Sequence, residues 1–226
     1  YFKESISIIS DLVSEAKFKV NKNALELVAM DAANVAMVIF KMLSSCFTQY
    51  EVKEEEEEMA INLNNLRQIL RRAKGDDILT IETTEDSRLK ITMKSNTIRS
   101  FTMPTLELES KEQRVPELSF PITVEMDSNV LSDSIEDVSV VAESVTFMRE
   151  KSQLLVKAEG DLSKAFIEIK PDDNTSIKTD IDDKFKAKYS LEYLKKMIAG
   201  GKLAERVSLR WNTDYPLKVE YKLIDK

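Results

Sequence analysis

Apolar residues recur along this chain with two alternating periods. Phe2, Ile6, Ile9 and Val13 fall on one stripe at helical spacing, and so do Leu63, Leu66, Ile69, Leu70 and Ala73. Leu131, Ile135 and Val138 mark a third stripe, and Leu191, Leu194, Met197 and Ile198 a fourth. Four amphipathic helices are predicted. Between them the period shortens to alternation or to β-branched runs. These are KFKV, LELVAM, VAMVIF, DILTIE, RLKITM and TIRSFTM in the first half, then VTFM, QLLVKA, AFIEIK, RVSLRW and LKVEYKL in the second. The breaks NKN and KSN supply polar turn residues for antiparallel hairpins. The fold class is therefore α+β, with antiparallel sheets carrying helices on one face.

The same pattern is written twice. Setting Ser190 against Asn62, an offset of 128 without a gap, aligns NLNNLRQIL with SLEYLKKMI and RLKITM with PLKVEY. Leu63/Leu191, Leu66/Leu194, Leu89/Leu217, Lys74/Lys202, Asp86/Asp214 and Lys90/Lys218 coincide, while Arg67/Lys195, Ile69/Met197 and Ile81/Leu209 are conservative pairs. Near the same offset Val13 meets Val141, Glu15 meets Glu143, Leu27 meets Leu155 and Val28 meets Val156. The stretch PTLELESKEQRVPELSFP, bounded by Pro104 and Pro121 and polar in its middle, reads as an extended connector. Residues 1–103 form repeat one, 104–121 the connector and 122–226 repeat two.

With 226 residues, 42% hydrophobic and 32% charged, and only four Gly and five Pro, the chain can bury a proper core. Cys46 is the only cysteine, so no intrachain disulfide forms and a reducing cytoplasm is the natural reading. Beside Phe47 this thiol is expected to be inert packing. No run approaches the ~18 apolar residues of a membrane span, and the opening YFKESISIIS is unlike a signal peptide. The chain has no histidine, which removes the commonest general base and metal ligand. Gly75, Gly160, Gly200 and Gly201 form no phosphate-cradling motif. Neither a nucleophile with a neighbouring base nor a cofactor signature is present, so no enzyme, cofactor or metal is predicted. The acidic run Glu54 to Glu58 reads as a solvated loop or strand end, since consecutive residues seldom converge on one ion. Trp211 is a strand residue that Arg210 could place near the surface.

A net charge of -7 argues by itself against nucleic acid. Distribution modifies that argument. On the second helix Arg67, Arg71 and Lys74 form a stripe beside the apolar face with Arg72 further round, and the copy carries Lys195, Lys196 and Lys202. Such a face attracts phosphates without reading bases, although a plain solvated helix face has the same composition. The first helix of repeat two, with Asp127, Asp133, Glu136 and Asp137, is acidic throughout.

Three segments together resemble the proliferating cell nuclear antigen (PCNA) sliding clamps of archaeal type. They are AMDAANVAMVIF, the connector ending QRVPELSF, and WNTDYPLKVEYKL, and the likeness spans essentially the whole chain. The resemblance implies a closed ring of three subunits, more readily identical than different, with helices lining a hole that encircles double-stranded DNA. Lys3, Arg67, Arg71, Arg72, Lys74, Lys195, Lys196 and Lys202 would face that DNA. One subunit edge, with Arg99, Phe101, Met103, Leu106 and Leu108, would pair with a neighbour's edge at Ala165, Phe166, Ile167 and Ile169. Ring closure also covers strand edges that would otherwise stay unpaired. A short peptide from a DNA polymerase, ligase, flap nuclease or clamp loader would dock on Met30, Asn34, Val35, Met37, Val115, Pro116 and Pro216. Read without the resemblance, Met30 and Met37 are ordinary core residues. The implied function is a DNA polymerase processivity factor in an archaeal cytoplasm, associated with the nucleoid.

Departures from the family pattern bear on this. Glu136 and Glu192 stand where basic residues are usual on hole-lining helices, which implies low DNA affinity, and Asn34 replaces a usual His or Arg. The sequence opens inside the first helix and ends at Lys226, before the final strand and tail that border the peptide pocket in relatives. A chain truncated there is expected to bind partner peptides more weakly. A checkpoint-type or other scaffold ring with different partners is the alternative, and a carboxylate-dependent hydrolase a remote one.

Overall fold

The helix α1 (Phe2–Ser10) and the helix α2 (Leu63–Leu70) form where the apolar stripes place them, and they pack side by side. Asn62 fixes the start of α2: its side chain accepts the Asn65 N–H at 2.9 Å, satisfying one of the orphan donors of the first turn. Leu63, Leu66 and Leu70 are at most 1% exposed, and full burial of each such side chain contributes about 1.5–3 kcal/mol. The computed structural model describes residues 1–108, 113–179, 181 and 183–223. It divides into two units, Tyr1–Pro116 and Glu117–Lys226. Residues 109–112 of the expected connector lie outside the described residues.

In the first unit the helices cover two antiparallel sheets. One sheet has the strand order β3-β2-β1-β4, from β1 (Glu15–Asn21), β2 (Ala24–Met30), β3 (Met37–Leu43) and β4 (Glu56–Asn62). The other runs β5-β6-β7, from β5 (Ile78–Thr83), β6 (Arg88–Lys94) and β7 (Ile98–Pro104). The β1–β2 turn is closed by Asn21, whose side-chain oxygen accepts the N–H groups of Asn23 and Ala24 at 2.9 and 3.1 Å. Phe18, Leu27, Ile61, Leu89, Ile91 and Met93 join the α2 leucines in one core.

The second unit repeats this plan. Helices α3 (Ser128–Ser139) and α4 (Leu191–Met197), the latter followed by a 3-10 turn (Ile198–Lys202), pack on two four-stranded sheets. One is β11-β10-β9-β13, from β9 (Ser144–Glu150), β10 (Gln153–Glu159), β11 (Lys164–Ile169) and β13 (Phe185–Ser190). The other is β12-β8-β14-β15, from β8 (Ile122–Asp127), β12 (Ser176–Thr179), β14 (Arg206–Trp211) and β15 (Lys218–Tyr221). Phe147 meets Trp211 edge-on with ring centroids 6.1 Å apart. The core closes over Leu131, Ile135 and Leu194 from the helices.

Several sequence expectations are corrected. The front halves of the repeats match at an offset of 129 rather than 128: Phe18 opposes Leu27 as Phe147 opposes Val156. One residue along a strand reverses the face, so Leu27/Leu155 sets a core residue against one on the other side of its sheet. From α2 onward the offset of 128 holds, as Leu63 and Leu191 open their helices. Strands β4, β8, β12 and β13 go beyond those predicted. The glutamate run disguises β4, where Lys17 and Lys19 across the strand meet Glu58 at 2.9 and 3.6 Å. VAMVIF enters its strand only at Met37, because Val35 and Ala36 belong to a loop. Trp211 is fully buried, since alternation in β14 turns Val207, Leu209 and Trp211 inward and Arg210 outward. Cys46 is exposed rather than packed. Residues 113–119 carry no helix or strand and are all exposed. Among the described residues no helix is long and apolar enough to cross a membrane.

Candidate functional site

The basic residues of the first unit gather at the C-terminal end of α2, where the helix dipole favours positive charge. Arg71, Arg72 and Lys74 are exposed, and Lys3 reaches across from α1 to donate to the Ala73 carbonyl at 2.9 Å. Arg67 differs. It lies half-buried with Nη1 2.5 Å from Asp11 Oδ1 and 3.3 Å from Ser10 Oγ, so its charge is matched within the unit. In the second unit Lys195 and Lys202 are exposed, while Lys196 Nζ lies 3.2 Å from Glu192 and 5.4 Å above the Tyr193 ring. The outward side of α3 presents Asn129, Asp133, Glu136 and Asp137 and no basic residue.

A second site is built by one carboxylate. Asp31, only 7% exposed, follows β2 and folds the six residues Asp31–Ala36 over itself. Its Oδ1 accepts the Val35 and Ala36 N–H groups, both at 2.7 Å, and Oδ2 accepts the Ala33 N–H at 3.3 Å. The backbone closes the same loop, with Asp31 N–H donating to Ala36 O at 2.9 Å and Asn34 N–H to Asp31 O at 3.0 Å. Asn34 takes the left-handed conformation, φ 56°, which asparagine tolerates better than most residues. The loop holds Val35 out at 64% exposure. Met30 and Met37 oppose each other across β2 and β3, half-buried and outside the core cluster, with Val28 and Ile39 as the next pair on that face. The structure thus brings Met30, Asn34, Val35 and Met37 together. Val115 and Pro116 are exposed in the same unit, and Pro216 is exposed in the other. Asp31 is the member that sequence reading passes over. Its signal is an aspartate followed by small residues and an asparagine, the composition of a side-chain-closed turn.

The strand edges named for subunit pairing are the sheet edges β7 and β11. Their side chains divide by face. Met103 and Ile169 belong to the cores of their own units, with Phe101, Ala165 and Ile167 packed against them, so their side chains are engaged within the units. Phe166 is exposed, with Lys157 Nζ 5.0 Å from its ring centre. Arg99 is occupied internally, donating to the Arg72 carbonyl at 2.9 Å and to Asp77. Asp77 also accepts the Lys74 N–H at 2.6 Å, and these two contacts, the backbone one first, hold its carboxyl down at about 2. The Leu106 N–H bonds to Ala60 O at 2.8 Å, which ties that residue to β4, and Leu108 lies half-buried just beyond. Among the described residues no three His, Cys, Asp or Glu side chains are grouped to hold a metal ion.

Comparison with known proteins agrees with this two-unit plan. Residues 1–114 match the family model described as proliferating cell nuclear antigen, N-terminal domain, and residues 114–226 match its C-terminal domain. The chain is 33% identical over 226 residues to a DNA polymerase sliding clamp of Nanoarchaeum equitans, covering 99% of this chain and 91% of the relative. A DNA polymerase sliding clamp of Pyrococcus furiosus is 31% identical, covering 100% and 90% respectively. The crystal structure of PCNA from Thermococcus kodakaraensis superimposes with a TM-score of 0.90 over 98% of this chain and 90% of that one, at 23% identity, which speaks to the fold. With both halves matched in order and the relatives covered almost end to end, the chain belongs to the proliferating cell nuclear antigen family.

Proposed function

We propose that the chain is a subunit of a DNA polymerase sliding clamp, a ring that encircles duplex DNA and tethers replication and repair enzymes without catalysing a reaction. The carrying observation is repetition. In each unit a second helix buries its leucines against the sheets and exposed basic residues stand on it or just beyond its end, Arg71, Arg72 and Lys74 after α2, Lys195 on α4 and Lys202 after it, with Lys74 and Lys202 at the same position of the repeat. Relatives matched over nine-tenths of their length bear the name DNA polymerase sliding clamp, which supports the reading. Three identical subunits joined β7 to β11 would close the ring and cover both strand edges. The sparse positive charge suits sliding, because many firm phosphate contacts would pin the ring in place. The Val35 loop with Met30 and Met37 would take an apolar plug from a peptide of a polymerase, ligase, flap nuclease or clamp loader. Tethering then raises the effective concentration of the enzyme at the DNA. The acidic α3 favours one second reading, a scaffold ring of the same build with partners other than replication enzymes.

The test combines native mass by light scattering with retention on circular and linearised DNA, comparing the parent chain with an Arg71→Glu/Arg72→Glu/Lys74→Glu variant. The expected result is a mass about three times that of the chain, loss of retention on linearisation, and weaker loading by the variant at unchanged mass. A monomer at all concentrations, or equal retention on circular and linear DNA, overturns the proposal.

A further inference from the structure

The sheet β11-β10-β9-β13 has one face in the core of the second unit, under α3, and an opposite, solvent face on which Lys186 and Lys188 are exposed while Met148 and Leu155 are covered, at 6% and 4% exposure. Pairing register aligns the solvent face in rows. Lys186, Met148, Leu155 and Glu168 form one, and Lys188, Thr146, Lys157 and Phe166 form the next. The glutamates of this region are each already matched: Glu150 by Lys184 at 3.4 Å, Glu159 by Lys164 at 2.5 Å and Glu168 by Lys170 at 3.6 Å. Lys157, Lys186 and Lys188 remain with no ion pair among the described residues, and Lys157 lies over the Phe166 ring. A chain of net charge -7 therefore carries, on the face turned away from its helices, a positive patch that no carboxylate among the described residues matches.

The first unit shows that the fold does not require it. At the offset of 128, Lys184, Lys186 and Lys188 correspond to Glu56, Glu58 and Ala60 of β4, and there Lys17 and Lys19 neutralise the glutamates across the strand. The residues in place of Lys17 and Lys19 in the second unit are Thr146 and Met148, which carry no charge. Lysines on an edge strand often serve only to deter strand addition. On β13 that task is partly met by the backbone, since Asp214 N–H donates to Lys186 O at 3.0 Å and Lys186 N–H to Thr213 Oγ1 at 3.4 Å.

From this we infer that the solvent face of β13 and β10 docks an acidic, extended segment of a partner protein. Lys186 and Lys188 stand two residues apart on one strand, about 6.6–6.8 Å along it, which is also the spacing of alternate side chains in an extended peptide. Carboxylates at alternate positions of such a segment would meet both lysines, with Lys157 two strands away taking a third. Duplex DNA fits less well: three lysines on β10 and β13, with the uncharged Thr146 and Met148 of β9 between them, make no continuous track for a phosphate backbone, and no arginine fork is exposed on this face. The inference stands on this face alone and uses neither the peptide loop nor the basic helices of the proposed clamp.

The experiment titrates a fluorescent Glu-Ser repeat peptide, which lacks any apolar plug, with the full chain at low and high salt and reads anisotropy. The parent chain is expected to bind with an affinity that falls as salt rises. Lys186→Glu/Lys188→Glu should weaken binding at least about tenfold, whereas the charge-matched Lys22→Glu/Lys94→Glu leaves it unchanged. Absence of binding by the parent overturns the inference, as does equal loss in both variants, which marks diffuse attraction. Loss of short duplex DNA binding by Lys186→Glu/Lys188→Glu, with the peptide unaffected, also overturns it and assigns the face to nucleic acid.

Discussion

Replacing Asp31 with Ala is the most direct probe of how the exposed valine loop is held. The substitution removes the acceptor of two N–H groups at 2.7 Å and a weaker third at 3.3 Å. The Ala36 amide cannot turn to water, because that residue is 4% exposed, while the Val35 amide has an exposed residue around it. Stranding one buried donor costs about 1–3 kcal/mol, and bonds to a charged acceptor lie toward the upper end. The expected loss for Asp31→Ala is therefore about 2–3 kcal/mol, a large share of the roughly 5–15 kcal/mol that stabilises a domain. Asp31→Asn keeps an oxygen where Oδ1 stood and loses the charge. Since charge-assisted bonds are roughly twice as strong as neutral ones, it should lose about half as much. Urea unfolding followed by circular dichroism gives the stability difference, with an unchanged denaturant slope showing that the two end states are preserved. Hydrogen exchange at the Val35 and Ala36 amides gives the local effect, with protection lost in Asp31→Ala and reduced in Asp31→Asn. If Asp31→Ala unfolds at the parent's urea concentration, or if Asn is as damaging as Ala, the carboxylate is not acting as the loop's acceptor and the reasoning fails.

Two further predictions follow from contacts elsewhere. The Asp77 carboxyl is lowered from 3.8 to about 2 by the Lys74 N–H and Arg99, so its contribution to stability is fully present above 3.8 and is lost as pH falls from there through 2. Asp77→Asn should therefore be less stable than the parent at neutral pH, with the gap closing in acid urea titrations; a gap independent of pH would refute the assignment. At Gly200 an added Cβ would lie 2.4 Å from two ring carbons of Tyr221, whereas at Gly75 nothing lies within 4 Å. Gly200→Ala should cost about 1–3 kcal/mol through overpacking, and Gly75→Ala should be neutral or stabilise by up to about 1 kcal/mol. Thermal melts of the pair decide this, and equal melting temperatures would contradict the packing argument.

The parts of the fold legible in the sequence are those where one residue type repeats at one period. The α2 and α4 leucines stand at the same positions of both repeats and are buried in both, so periodicity alone located the helices and the offset between them. The front halves were harder because the loop between β2 and β3 has six residues, Asp31–Ala36, where that between β10 and β11 has four, Gly160–Ser163. Only strand pairing reveals that Phe147 stands in the place of Phe18. Strands β4 and β13 escaped because their solvent faces are charged almost without interruption, and the inward alternation of Phe185 and Ala187 is too short to stand out. For the candidate DNA-facing site the obstacle is different in kind. Spacing on α2 puts Arg67 on the basic stripe, yet Asp11, the carboxylate that matches it, is 56 residues away in sequence and 2.5 Å away in space. Lys196 is matched within its own helix by Glu192. A count of basic residues along the helices therefore overstates the charge they can offer to phosphate. Exposed and without an ion pair among the described residues are Arg71, Arg72 and Lys74 just past the end of α2 and Lys195 on α4, so charge reversal at Arg71, Arg72 and Lys74 should weaken DNA loading more than reversal at Arg67.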